Sequence, residues 1–371
     1  MTEKNRSIIE LTVSGKTVTV NRPEPITDKI DVASYTSEFD PLTAVDVLMD
    51  GDYVLVDDYF SSGLVLLNRL KSSLKKTYSG SSFTGQRDFR SAFRELSNKI
   101  LLLISDHKIA VKKSPQIGWL GILYPELDQF LLSFPQVQGL NSAWQWYENG
   151  IKMPVLDKKI FPFYGTYFPT RFEHLQLFEH WLTQYGGEKK TAFDIGTGCG
   201  VLSFQMLKHG FEKIYGTDTN PNAIYSVYEY ISRNRLGSGI ELINGDLFTG
   251  CPDKTELIIF NPPWLPAAYN PEGLDKAIYY DNELFPRFFA DAANRLNPGG
   301  RVVILFSNLA QVTGISAAHP VEDELAHGGR FMKEIFIQKK ADASSKKTRR
   351  DSNWRKTEMV ELWVLKTIPG E

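Results

Sequence analysis

Residues 191–200 read TAFDIGTGCG, an apolar run that breaks into alternating glycines. Thr191 to Ile195 suits a short strand covered on both faces. Gly196, Gly198 and Gly200 then allow positive φ and let the backbone come close to a ligand. A tight strand-to-helix turn needs the same residues, so this stretch alone leaves both readings open. Its spacing is G-x-G-x-G, not the G-x-G-x-x-G of dinucleotide binders. No Lys-Ser/Thr pair follows, which argues against a nucleotide phosphate cradle. A loop that admits a ligand without a pyrophosphate is the better reading.

The same pattern repeats outward from this loop. KIYGTDT (213–219), GIELINGD (239–246), ELIIFNPPW (256–264) and GRVVILFS (300–307) are short apolar strands separated by helical stretches. EHLQLFEHWLTQYG (173–186) precedes them as an amphipathic helix with a glycine stop. Alternation of this kind predicts parallel βαβ units, hence an α/β fold with a doubly wound, mostly parallel sheet. Ligands of such sheets sit in the crevice outside the carboxyl ends of the strands. The diagnostic residues should therefore follow each strand. Asp194 and the loop glycines follow the first. Asp218 ends the second, where a carboxylate accepts both hydroxyls of a ribose; an N-cap by Asp218, Thr219 or Asn220 ahead of Pro221 is equally open. Asp246 follows the third, where it could accept from an adenine amino group with Leu247 covering the ring; as a lone Gly-Asp it would be a turn. After the fourth come Asn261, Pro262, Pro263 and Trp264. The prolines have no N–H to donate, so the ladder stops there and the chain turns away from the sheet with its carbonyls uncommitted.

Upstream, residues 1–160 form an expected α+β accessory domain, and residues 161–371 the Rossmann-like domain. IIELTVSGKTVTV (8–20) alternates around Ser-Gly-Lys and reads as a hairpin. YVLVDDYF (53–60) opens a short strand and a helix. Phe89, Phe93, Leu96, Ile100 and Leu103 share a helical spacing, LNSAWQWYENG (140–150) is a helix closed by Gly150, and IKMPVL and KKIFPFY read as strands. No catalytic motif or repeat occurs in this part, which is expected to choose the substrate.

Composition excludes several classes. Of the 371 residues 42 % are hydrophobic and 23 % charged, as in an ordinary globular protein, and the net charge of −2 gives no global pull toward nucleic acid. The two cysteines, Cys199 and Cys251, and the six histidines show no disulfide or metal spacing, so no metal is expected. Cys199 invites a nucleophile reading, but no base stands beside it in sequence and it reads as a small loop filler. MTEKNRSIIE lacks the apolar core of a signal peptide and no run reaches membrane-spanning length, so the expected compartment is cytoplasmic, without a membrane partner. Asn282 and Glu283 are expected to begin a helix whose Phe285, Phe288 and Phe289 form a core face. RFMKEIFIQKKA and EMVELWVLKT read as a final antiparallel pair. Between them Lys346, Lys347, Arg349, Arg350, Arg355 and Lys356 surround Trp354, which suits either a solvated hairpin tip (346–356) or an RNA contact.

FDIGTGCGVLSFQM (193–206), YGTDTNPNAI (215–224), NGDLF (244–248) and IIFNPPWLP (258–266) resemble, in this order, the motifs of class I S-adenosylmethionine-dependent methyltransferases. They are most similar to the HemK-type enzymes, which methylate a glutamine side-chain amide. The resemblance covers about residues 165–310, and YFPTRFEHLQLFEHWL (167–182) resembles the family segment leading into the first helix. Asn-Pro-Pro-aromatic is shared with N-methyltransferases of adenine and guanine amino groups. Here its last residue is Trp264 where the HemK-type enzymes usually carry tyrosine, and the upstream segment lacks their proline-glutamate-threonine-glutamate order. The resemblance implies S-adenosylmethionine as cofactor, held by Asp194, Gly196, Gly198, Gly200, Asp218, Asp246 and Leu247, with Asn261 bordering both substrates. It implies an acceptor NH₂ on a planar carbon, whose two N–H bonds go to the Asn261 oxygen and the Pro262 carbonyl while Trp264 stacks on its plane. A glutamine of a protein partner is the first acceptor implied, and an adenine or guanine amino group of RNA or DNA the second. A nicotinamide-dependent oxidoreductase is rejected on the glycine spacing and on Asn-Pro-Pro-Trp. A non-catalytic binding module would be expected to have lost a motif, and none is lost.

Overall fold

The computed structural model describes residues 6–78, 83–267, 277–341 and 357–368, so the basic stretch 346–356 lies outside the described residues. The chain divides into two compact units: Met1–Glu10 with Thr19–Glu148, and Leu11–Val18 with Asn149–Glu371. Strands β1 (Ile8–Val13) and β2 (Lys16–Asn21) form the expected hairpin, turning at Ser14 and Gly15 with φ of 49° and 77°. Such left-handed pairs match the twist of the flanking strands.

The first unit continues with β3 (Val32–Tyr35), α1 (Pro41–Met49), β4 (Tyr53–Val56), α2 (Phe60–Thr77), α3 (Phe83–Ser97), β5 (Ile100–Ser105), β6 (Lys108–Ile109), α4 (Trp119–Leu123), β7 (Gln129–Ser133) and α5 (Phe134–Asn149). β3, β4 and β5 are parallel, and β6 and β7 pair antiparallel with β5. The structure departs from the sequence expectation in two segments. Ile100 and Leu103 do not continue the helix; Ile100 to Ile104 is an apolar run suited to a covered strand, and β5 begins there. The segments IKMPVL and KKIFPFY make one bridge, Ile151 to Ile160, because Pro154 and Pro162 remove ladder donors. Their side chains are buried all the same: Ile151, Met153, Val155 and Ile160 belong to the core of the second unit. The units accordingly divide at Asn149 and not at 161.

The second unit contains α6 (Glu173–Gln184), β8 (Thr191–Ile195), α7 (Val201–Lys208), β9 (Lys213–Asp218), α8 (Pro221–Asn234), β10 (Ile240–Asn244), β11 (Thr255–Phe260), β12 (Leu265–Pro266), β13 (Tyr279–Tyr280), α9 (Leu284–Arg295), β14 (Leu296–Ser307), α10 (Leu309–Val312), α11 (Pro320–Asp323), β15 (Phe331–Lys340) and β16 (Met359–Thr367). Its seven-stranded sheet runs β10-β9-β8-β11-β14-β16-β15. Neighbours from β10 to β14 are parallel, and β16 is antiparallel to both β14 and β15. This is the doubly wound, mostly parallel α/β sheet with the expected final antiparallel pair.

Strand side chains alternate between two cores. Leu257, Ile259, Val303 and Leu305 face a cluster with Phe178 and Trp181 of α6. Ile258, Phe260, Val302 and Ile304 face one with Phe285, Phe288 and Phe289 of α9. Phe288 stacks on Phe260 with ring centroids 4.4 Å apart and on Phe248 at 5.6 Å, so the phenylalanine face of α9 is core. Burying one such ring contributes about 1.5–3 kcal/mol. No helix of the described residues is long and apolar enough to cross a membrane.

Candidate cofactor and acceptor site

β8, β9 and β11 end side by side. Ile195 pairs with Thr217 on one flank and with Phe260 on the other, so Gly196, Asp218 and Asn261 emerge at one edge of the sheet. Asp246 and Leu247 follow β10, the next strand beyond β9.

Asp194, 0 % exposed, works inside the first exit. Its Oδ2 accepts from Thr197 Oγ1 at 2.8 Å, from Ser203 N–H at 3.0 Å and from Ser203 Oγ at 2.6 Å. These bonds tie β8 to the first turn of α7 and fix the loop between them. Oδ1 has no partner among the described residues. Burial pushes the carboxyl pKa up to about 6, against the pull of the three bonds. Gly200 precedes α7 with φ of 80°, and a Cβ there would stand 2.9 Å from Phe204 and from Val227. Only glycine meets both demands. Cys199 is 3 % exposed and burial pushes its thiol up to about 12, which removes the nucleophile reading.

Asp218 joins the first exit to the second. Its Oδ2 accepts from Gly198 N–H at 2.8 Å and its Oδ1 from Asn220 N–H at 2.8 Å. Burial raises its pKa and these donors oppose the rise. Each oxygen keeps a further lone pair, so two hydroxyls can still be accepted. The helix cap belongs to Asn220, whose side-chain oxygen accepts from Asn222 N–H at 3.1 Å ahead of Pro221.

Asp246 is half-exposed and ion-paired with Arg287 Nη1 at 2.7 Å, a partner its sequence neighbourhood does not announce. An adenine amino group would share that carboxylate. Leu247 beside it has φ of 47°, the left-handed region that a leucine adopts only under local constraint.

At the third exit Asn261 Oδ1 accepts from the Trp264 indole N–H at 3.2 Å. Pro262 is buried, and Trp264 is half-buried between the two cores. The His174 ring meets Trp264 edge to face, with centroids 5.6 Å apart and planes at 89°. His174 is 3 % exposed; burial, helped by the nearby Arg171 charge, pushes its pKa down to about 3, so the imidazole is neutral. Arg171 Nη1 pairs with the fully buried Glu358 at 2.9 Å. None of these three residues was singled out from sequence; the signal was the segment YFPTRFEHLQLFEHWL that contains two of them. That segment starts from a clamp on α8: Asn222 Nδ2 donates to the Tyr164 carbonyl at 2.7 Å and Asn220 Nδ2 to the Gly165 carbonyl at 2.8 Å. It then passes over the glycine loop, where the Tyr167 carbonyl lies 3.5 Å from the position of a Cβ on Gly198.

The crevice has a carboxylate with spare lone pairs, a glycine loop open to close approach and no pyrophosphate cradle, a set that fits S-adenosylmethionine. Residues 175–315 match the model of the methyltransferase small domain. A protein of Methanocaldococcus jannaschii named as a protein N5-glutamine methyltransferase is 33 % identical over 129 residues, 33 % of this chain and 64 % of that one. Ribosomal RNA small subunit methyltransferase C of Alcanivorax borkumensis is 27 % identical over 114 residues, 31 % of each chain. The ribosomal protein L11 methylase structure from Lactobacillus delbrueckii aligns over 54 % of this chain and 80 % of that one, with a TM-score of 0.37 and 17 % identity. The chain spans 64 % or less of the curated relatives named here. Over residues 175–315 its second unit is thus similar to the methyltransferase small domain.

Proposed function

We propose that this protein transfers the methyl group of S-adenosylmethionine to an NH₂ nitrogen on a planar carbon, and that the acceptor is a glutamine side-chain amide of a protein. The observation that carries the reading is the register of β8 with β11, which sets Asn261 beside Gly196. The amide that holds the acceptor and the loop that admits the cofactor thus share one crevice. The bound cofactor supplies an electrophilic methyl group on a sulfonium.

The residues then divide the remaining tasks. Asp218 accepts the ribose hydroxyls, while Asp246 and Leu247 border the adenine. Gly196 and Gly198 let the ligand approach the backbone, Gly200 turns the chain into α7 against Phe204 and Val227, and Asp194 keeps their loop in shape from below. The lone pair of an amide nitrogen is delocalised and weakly nucleophilic. Asn261 Oδ1 and the Pro262 carbonyl accept its two N–H bonds and so fix the direction of that lone pair. Trp264 lies against the acceptor plane. Transfer is then a matter of positioning, with the reacting atoms held roughly 3–3.5 Å apart. The similarity to a protein named as an N5-glutamine methyltransferase supports the choice of a protein amide.

The test uses methyl-labelled cofactor, purified protein and a lysate treated beforehand with protease or with nuclease. Label surviving nuclease but not protease is the expected result. Label surviving protease but not nuclease would replace the protein amide with a nucleobase amine.

A further inference from the structure

Next to the acceptor turn lies a cavity of about 390 Å³, walled by Pro266, Tyr280, Phe285 and Phe289 on one side and by Asp323 and Glu324 on the other. We propose that it is a specificity pocket for a basic side chain, arginine or lysine, standing one or two residues from the methylated glutamine. The inference rests on the protein-amide reading above and names the sequence context that the site selects.

Position comes first. β12, which leaves the acceptor turn, pairs with β13: Leu265 N–H donates to the Ile278 carbonyl at 3.1 Å and Ala267 N–H to the Tyr280 carbonyl at 2.7 Å. Tyr280 in the pocket wall is therefore hydrogen-bonded to the chain that leaves the acceptor turn. Pro266 stands two residues beyond Trp264, a span of about 7 Å in extended chain. An extended polypeptide whose glutamine lies against Trp264 presents a side chain two residues away at about that distance.

Chemistry chooses among side chains. Tyr280 is 8 % exposed, yet its hydroxyl has no hydrogen-bond partner among the described residues, and it lines the cavity. Burial first and the Asp323 charge second raise its pKa and keep the hydroxyl protonated. Glu324 is matched by Arg330, whose Nε donates to Oε1 at 2.9 Å and whose Nη2 donates to Oε2. Asp323 has no such partner among the described residues and contributes an uncompensated negative charge to the rim. Aromatic faces, a free hydroxyl oxygen and one unmatched carboxylate suit a cation on an apolar stem. A phosphate backbone would meet Asp323 with its own charge and find Arg330 already engaged.

The test measures binding and methylation of short glutamine peptides carrying arginine, leucine or glutamate beside the glutamine. Fluorescence anisotropy should give about tenfold tighter binding for the arginine peptide than for the leucine peptide, the scale of one charge-assisted contact. Asp323→Asn, at an exposed position, should reduce that preference to about twofold while leaving turnover of the leucine peptide unchanged. Tyr280→Phe should weaken the preference less. Equal binding of the three peptides, or a preference that persists in Asp323→Asn, overturns the pocket. Selective binding without any methyl transfer would leave the pocket standing and overturn the glutamine acceptor instead.

Discussion

In the exit from β8, Asp194 holds three hydrogen bonds inside its own loop, and Gly198 adds a fourth to Asp218 across to β9. In the exit from β11, the Asn261 oxygen holds one, from Trp264. The first loop is closed by its own partners before any ligand arrives. The second keeps acceptor groups in reserve, with two prolines supplying the stiffness that hydrogen bonds supply in the first. On the proposed reading, the first suits a ligand of constant shape and the second offers hydrogen-bond acceptors to the N–H groups of a partner.

Substitutions that separate the two exits sharpen this contrast. Asn261→Ala should lower turnover by about 100-fold or more, because on the proposed reading it removes an aligned hydrogen-bond acceptor for the reacting nitrogen. Cofactor affinity measured by calorimetry should be nearly unchanged; a variant with near-normal rate removes Asn261 from the acceptor role. Asp218→Ala should do the reverse, weakening cofactor binding by about ten- to a hundredfold as expected for hydrogen bonds to a charged group. Unchanged binding would detach it from the ribose. Trp264→Phe keeps a ring between the two cores but loses the indole N–H that orients Asn261. We expect kcat to fall by about two- to tenfold with cofactor affinity intact, the scale of one neutral hydrogen bond; a matching loss of cofactor affinity would mean that the two exits are not separable.

The smallest effect concerns Asp194 and pH. Its folded pKa of about 6 lies above the ordinary value of 3.8. Its contribution to stability is therefore fully present below about pH 4 and is lost as pH rises through about 6. Asp194→Asn lacks that titration. The melting temperature of the wild type relative to the variant should fall between about pH 4 and pH 7, and a constant difference would show that the carboxyl does not carry the raised pKa.

Much of this was legible in the residues themselves. β8 and β11 are covered on both faces, and β8, β9, β10 and β11 give way to glycine, aspartate or Asn-Pro-Pro, so run length and punctuation located them together with the residues at their carboxyl ends. The segments 100–105 and 151–164 were misread because apolar runs without a clear period do not say whether a helix, a strand or a proline-broken coil buries them. The partners were harder still. Arg287 reaches Asp246 from α9, and His174 reaches Trp264 from α6, contacts that exist only once the sheet has brought the helices round. Trp264 reads in sequence as a stacking surface, and its bond to Asn261 depends on the turn geometry between them.

The most direct test is a crystal structure of the protein grown with S-adenosylhomocysteine. The expected result is a ribose hydrogen-bonded to Asp218, the adenine beside Asp246 and Leu247, and Asn261 still bonded to Trp264 with its remaining lone pair open to the crevice. A ligand bound away from the carboxyl ends of β8 and β9, or one that occupies the Asn261 oxygen itself, would contradict the division between the two exits.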